Sequence, residues 1–278
     1  MRVKLAVVIP VYNERDTVAA LVARVQEVLP PYEPQRIQSD PDAPAIRTRI
    51  QRMIVLVDDA SVDGTSNIID TLGEQKDVHV RRHTRNQGKG AALRTGFIAA
   101  LELGADVAIV QDADLEYDPA EHEIVLAPIL QGKADAVIGS RFIGGTHRVL
   151  YYWHAVGNRV ITTFSNMLTN LNLTDVECCF KAFSRDVLTL LDTQENRFGI
   201  EPEFVAKLAR MRLPTALQDD LPDTPQVVRD AKSLQTRHAR IFEVPVSYAG
   251  RTYAEGKKIT WRDGFRAMWC IVKYNMFR

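Results

Sequence analysis

Short, continuously apolar runs alternate with stretches of helical periodicity along much of the chain. Leu5–Val11, Met53–Val57, Val78–Arg81, Val107–Val110 and Ala136–Ile138 are rich in β-branched residues and predict buried strands. Between them, Thr17–Leu29, Ser66–Leu72 and Ala91–Leu103 carry apolar residues at helical spacing. This alternation predicts an α/β fold: a doubly wound, mostly parallel sheet with helices on both faces. Ligands bind such sheets at the carboxyl ends of the strands, so functional side chains are expected just after each one. Two stretches break the rhythm. Pro30–Arg49 holds five prolines among polar residues, and Leu213–Arg240 mixes Pro, Asp, Gln and Arg without a period. Both are expected to be loop insertions (30–49 and 213–240) in one domain spanning 1–278. Near the end, Trp261, Phe265, Met268, Trp269, Val272 and Met276 fall on one helical face, predicting a C-terminal amphipathic helix.

Composition changes little in this picture but excludes several partners. Apolar residues make up 46% and charged residues 25% of the 278, as in an ordinary soluble protein. Lys plus Arg equals Asp plus Glu at 35 each, so no nucleic-acid partner is expected. No apolar run approaches the roughly 20 residues that span a bilayer. The first residues enter a strand without a charged leader, so a cytoplasmic location is expected; the terminal helix has two equal readings, peripheral contact at the inner membrane face or packing on the domain's own sheet. The cysteines Cys178, Cys179 and Cys270 fit no zinc spacing and read as reduced thiols.

The expected strand ends carry polar clusters: Pro10-Val11-Tyr12-Asn13-Glu14, Asp58-Asp59-Ala60-Ser61 with Asp63-Gly64-Thr65, Asp112-Ala113-Asp114-Leu115-Glu116, and Gly139-Ser140-Arg141. Ser61 and Thr65 alone would be helix caps. If Asp112–Asp114 is extended, both carboxylates project to one side with Glu116 next, a hard-oxygen set suited to Mg²⁺ or Mn²⁺. A solvated acidic turn explains a lone D-x-D equally simply. Gly88-Lys89-Gly90 opens a helix, where glycines permit close backbone approach and a lysine can meet an anion. No Walker loop and no G-x-G-x-x-G fingerprint is present, which weakens ATPase and dehydrogenase readings. A sugar nucleotidyltransferase would need a glycine-rich segment where Pro10–Glu14 stands, and a binding module without turnover leaves the D-x-D and Arg141 unexplained.

Val8-Ile9-Pro10-Val11-Tyr12-Asn13-Glu14, Asp58-Asp59-Ala60-Ser61, Asn86-Gln87-Gly88-Lys89-Gly90, Asp112-Ala113-Asp114 and Gly139-Ser140-Arg141-Phe142, in this order, resemble family-two glycosyltransferases of GT-A fold. The resemblance is nearest to the dolichol- and polyprenol-phosphate mannosyl- and glucosyltransferase branch. It implies that Pro10, Tyr12 and Glu14 line a nucleotide pocket, that Asp59 meets the base or ribose, and that Lys89 lies near the nucleotide. It further implies a metal on Asp112, Asp114 and Glu116, with Asp114 the principal ligand, and an acceptor phosphate on Arg141. Asp175, in Thr174-Asp175-Val176-Glu177-Cys178, matches the segment that supplies an acid or base beneath the sugar. Arg251 and Lys257 match basic residues that close on the diphosphate. The implied enzyme is an inverting, metal-dependent hexosyltransferase using a UDP- or GDP-hexose, with polyprenyl phosphate as acceptor and a role in envelope glycans. The alternative is a soluble transferase acting on a polysaccharide or small hydroxyl acceptor, for which Asp175 or Glu177 must serve as base.

Overall fold

The computed structural model describes residues 2–28, 49–144, 146–149, 151–215, 236–252 and 261–277. The five expected strands are present as β1 (Arg2–Val11), β2 (Arg49–Asp58), β3 (Val78–Arg82), β4 (Val107–Val110) and β5 (Ala136–Ser140). The three expected helices are α1 (Val18–Val28), α2 (Thr65–Leu72) and α3 (Lys89–Glu102). A short 3₁₀ turn, Pro119–Glu121, leads into α4 (His122–Leu130).

Later elements are α5 (Tyr152–Thr169), β6 (Lys181–Ser184), α6 (Arg185–Leu190), α7 (Ile200–Arg210), β7 (Arg212–Pro214), β8 (Thr236–His238), β9 (Ile241–Pro245) and α8 (Trp261–Met276). Strands β6 and β9 complete a seven-stranded sheet of order β3-β2-β1-β4-β6-β5-β9. β1 pairs in parallel with β2 and β4, β2 with β3, and β5 with β9, while β6 runs antiparallel between β4 and β5. The sheet is therefore mostly parallel, as the alternation predicts.

The period of two along β1 divides the core. Leu5, Val7 and Ile9 join Leu21, Val22 and Val25 of α1, Ile69 of α2 and Val125 of α4 on one face. Ala6 and Val8 turn to the other face with Leu93 and Phe97 of α3, Val187 of α6 and Phe204 of α7. Each such side chain contributes about 1.5–3 kcal/mol when fully buried. Gly96 lets α3 settle on β1, because a Cβ there would collide with the Val8 side chain.

One expectation changes in the C-terminal half. The stretch 213–240 is not loop throughout: its ends pair antiparallel as β7 and β8. Beside them, Arg237 and Arg240 converge on the buried Asp135 carboxylate at the start of β5. Residues 216–235, and 30–48 of the first insertion, lie outside the described residues. Helix α8 packs against α5 and α7, burying Cys270 and Tyr274 against Ala206.

Candidate active site

The β1 and β2 ends are knitted together. Asn13 N donates to Ser61 Oγ (3.0 Å), Glu14 N to Thr65 Oγ1 (3.0 Å), and Val62 N to Asn13 Oδ1 (2.9 Å). Ser61 and Thr65 therefore tie two strand ends rather than cap α2, and Asp63 accepts the Thr65 amide instead. Asn13, Ala60 and Leu115, each just beyond a strand, sit at φ 53, 61 and 61°, the left-handed region that non-glycine residues rarely adopt. Such strain collects where surrounding structure over-determines a functional loop.

Asp59, expected at the base or ribose, is buried. It accepts the amides of Gln87 (2.9 Å) and Gly88 (2.7 Å) and lies 2.6 Å from His83 Nδ1. Its carboxylate thus fixes the following loop. In that loop, a Cβ on Gly88 or Gly90 would fall on the carbonyls of Asn196 or Glu195, and Ala91 N donates to Asn196 O (3.3 Å). The close approach these glycines permit is made by the protein's own backbone. Lys89, at the cavity wall, is paired with Asp112 (2.8 Å) and Glu201 (3.4 Å). Burial opposes its charge, but these carboxylates hold it well above the usual lysine range.

The D-x-D segment is a turn, not an extended ladder. Its carboxylates have different partners: Asp112 accepts from Lys89, whereas Asp114 accepts from Arg251 Nη2 (3.0 Å). Glu116 accepts from Arg251 Nε (3.1 Å), the Arg251 amide (2.9 Å) and Tyr248 OH (2.8 Å). Burial, then Asp112 and Glu116, raise Asp114 to about 7 despite Arg251. Crowded hard-oxygen donors of this kind suit a divalent cation, which would relieve the repulsion. Among the described residues, however, no three such side chains converge as a ready metal cage. Lys257 lies outside the described residues.

On the opposite side, Arg141 follows β5. Asp175 accepts its Nε (2.6 Å), Nη2 (2.8 Å) and backbone amide (3.2 Å), and the guanidinium stacks over Tyr248 at 5.0 Å. Asp175 is 0% exposed, so it sits behind Arg141 and is placed to orient that side chain rather than to take a proton from a substrate. Glu177, two residues on, does line the cavity. Its Oε1 is buried without a hydrogen-bond partner among the described residues, and burial followed by Glu201 raises it to about 7. Glu201 itself is committed to Lys181 (2.5 Å), and Glu203 to the amides of Gln194 and Glu195 (both 2.7 Å).

Tyr248, which sequence reasoning missed, bridges both sides through Glu116 and Arg141. It follows β9, whose Ile241–Val244 apolar spacing was the available signal. One cavity of about 1390 Å³ brings the two sides together. Pro10, Tyr12, Glu14, Asp59 and Lys89 line it with Asp112, Asp114, Glu116, Arg141 and Arg251; Asp175 does not.

Comparison with known proteins bears on the family and the fold. A family model described as Glycosyl transferase family 2 matches residues 6–191. The chain is 33% identical over 189 residues to the polyprenol monophosphomannose synthase of Mycolicibacterium smegmatis, covering 67% of this chain and 63% of that protein. It is 26% identical over 265 residues to the undecaprenyl-phosphate mannosyltransferase of Micrococcus luteus, covering 91% and 87%. Among solved structures, the glucosyl-3-phosphoglycerate synthase of Mycobacterium tuberculosis superposes with a TM-score of 0.63 at 14% identity, covering 98% of this chain and 78% of that one. The architecture is thus the GT-A type. With the family model spanning β1 to β5 and the polar residues that follow them, the chain belongs to glycosyl transferase family 2.

Proposed function

We propose that this chain transfers a hexosyl group from a nucleoside-diphosphate sugar to a hydroxyl of a soluble acceptor. The observation that carries the choice of acceptor is Glu177, which lines the cavity close to the Arg141 side and has a buried oxygen, Oε1, with no hydrogen-bond partner among the described residues. A hydroxyl needs a base as it attacks, and a carboxyl group raised to about 7 is matched to that task. A phosphate acceptor is already ionised and would leave such a group without work.

In this reading Pro10, Tyr12 and Glu14 border the nucleotide, and Asp112, Asp114 and Glu116 are the residues that would hold a Mg²⁺ or Mn²⁺ ion. When bound, that ion would neutralise charge on the departing diphosphate. Arg251 adds a guanidinium to the same stabilisation, aided by Lys257. Arg141, held by Asp175 and Tyr248, orients the acceptor. Glu177 removes the acceptor proton as the oxygen attacks opposite the leaving group, inverting the anomeric centre. The Mycobacterium tuberculosis structures hold Mn²⁺, UDP and phosphoglyceric acid, which makes phosphorylated hydroxy acids sensible first acceptors to assay.

A second reading, transfer to polyprenyl phosphate, is favoured by a different observation. Val149, Tyr152 and Trp153, 87, 72 and 76% exposed, form an apolar rim on the cavity beside Arg148. Both named sequence relatives also carry polyprenyl acceptors in their names. Peripheral contact with the inner membrane face belongs to this reading.

Calorimetry against UDP- and GDP-hexoses, with and without Mn²⁺, tests the donor; a folded protein that binds none of them sinks both readings. Turnover of Glu177→Gln separates the acceptors. With a hydroxyl acceptor kcat should fall by about 10²–10⁴ while donor affinity stays level. Near-normal turnover of the variant on polyprenyl phosphate, with no hydroxyl acceptor used by the wild type, would establish the second reading.

A further inference from the structure

The Arg251 guanidinium stands among the carboxylates assigned to the metal. It reaches Asp114 at 3.0 Å, Glu116 at 3.1 Å and Glu14 at 3.5 Å, and the Arg251 amide donates to Glu116 as well. On the other side of the turn Lys89 holds Asp112 at 2.8 Å. The acidic cluster is therefore divided between two of the protein's own cations, and among the described residues no three acidic, histidine or cysteine side chains are arranged to hold a metal ion. A guanidinium and a divalent ion compete for the same oxygens, since a carboxylate oxygen turned toward the fork of an arginine is turned away from a metal.

From this we infer that Arg251 is a tethered counter-cation that keeps free divalent metal out of the site until a nucleotide diphosphate arrives. The inference rests on the metal-assisted donor reading above. For the metal to take Asp114 and Glu116, Arg251 must leave them. Withdrawing a guanidinium from carboxylates into a half-buried site without a new anion is unfavourable, and the diphosphate is the anion that the reaction supplies. Metal and diphosphate therefore favour each other's binding through the exchange of one side chain. By linkage the coupling is reciprocal: nucleotide raises metal affinity by the factor by which metal raises nucleotide affinity. The arrangement also satisfies the acidic cluster between turnovers, when neither ligand is bound.

Manganese binding to the full-length chain, followed by loss of the electron paramagnetic resonance signal of free Mn²⁺, provides the test, with UDP as the only other ligand. In the wild type, saturating UDP should raise Mn²⁺ affinity at least about tenfold. Arg251→Gln should bind Mn²⁺ alone about tenfold more tightly than the wild type, and should gain less from UDP. Arg251→Lys, which keeps the charge but lacks the fork, should fall between them. Equal Mn²⁺ affinity in the wild type with and without UDP overturns the inference, as does an Arg251→Gln chain no better at binding Mn²⁺ alone. If UDP binds but no chain takes up Mn²⁺ even with it, the metal reading itself has failed and the inference with it. Circular dichroism establishes that each variant is folded; should Arg251→Gln not fold, the wild-type and Arg251→Lys measurements decide.

Discussion

Arg141 and Glu177 show how much a residue's role depends on what stands behind it. Arg141 is presented to the cavity by a fully buried carboxylate, so Asp175→Asn should act through Arg141. Leaving the guanidinium half-paired is expected to lower stability by about 3 kcal/mol in urea denaturation and to raise acceptor KM more than donor KM. Equal effects on the two KM values would remove its orienting role. Glu177 yields a pH dependence of definite sign. Its folded-state value, raised from 4.5 to about 7, means it accepts a proton only when deprotonated, so turnover on a hydroxyl acceptor should rise with pH through about 7. Its stability contribution runs the other way: between 4.5 and 7 the folded state retains a proton the unfolded chain has released, so that contribution declines as pH rises through this window. A flat rate profile from pH 6 to 8, about a unit either side of that value, would argue against Glu177 as the base.

At the scale of elements, the contact between the start of α3 and the 193–197 segment explains the glycine pattern. Gly90→Ala would drive a methyl group into the Glu195 carbonyl, which is backbone and cannot rotate aside. The expected result is a loss of about 1–3 kcal/mol in denaturant unfolding, with weaker donor binding because Lys89 is adjacent. Unchanged stability would show that the loop accommodates a Cβ. The glycines were visible in the sequence, and close approach at them was a sound inference. What approached was not visible, because Glu195 and Asn196 lie over a hundred positions away. The duties of Asp59 and Lys89, both of which hold the protein's own groups, were hidden because their partners come from other elements: the loop after β3 for Asp59, and the β4 end and α7 for Lys89. The D-x-D turn departs from the extended form, with Leu115 at φ 61°, and its carboxylates are answered by different cations, Asp112 by Lys89 and Asp114 by Arg251.

Across the whole molecule, α8 is tied to the site through Glu195. Arg266 Nη2 (2.6 Å), Lys273 Nζ (3.0 Å) and Tyr274 OH (2.9 Å) all donate to its carboxylate. Against the upward push of burial, these bonds hold Glu195 down at about 2, below the usual 4.5. A depressed carboxylate stabilises the fold above its unfolded value, and that stability is lost as pH falls from about 4.5 to 2. Glu195→Gln should thus be less stable by about 2 kcal/mol at neutral pH, with the gap closing on acidification. A gap that persists unchanged at pH 2, the folded-state value, would assign the loss to packing instead.

The strand–helix alternation was determined by sequence alone. Runs such as Leu5–Val11 are apolar on both faces because they are covered on both, and that requirement is written locally. The polar clusters at the strand ends were equally legible, since each follows its strand within a few residues. The antiparallel β6, the edge strand β9 and the placement of Tyr248 were decided only by tertiary structure, because sheet pairing joins residues that have no local pattern in common. So too was the partner of each charge. Which cation faces Asp114, and which side chain shields Asp175, depends on loops brought together from distant strands.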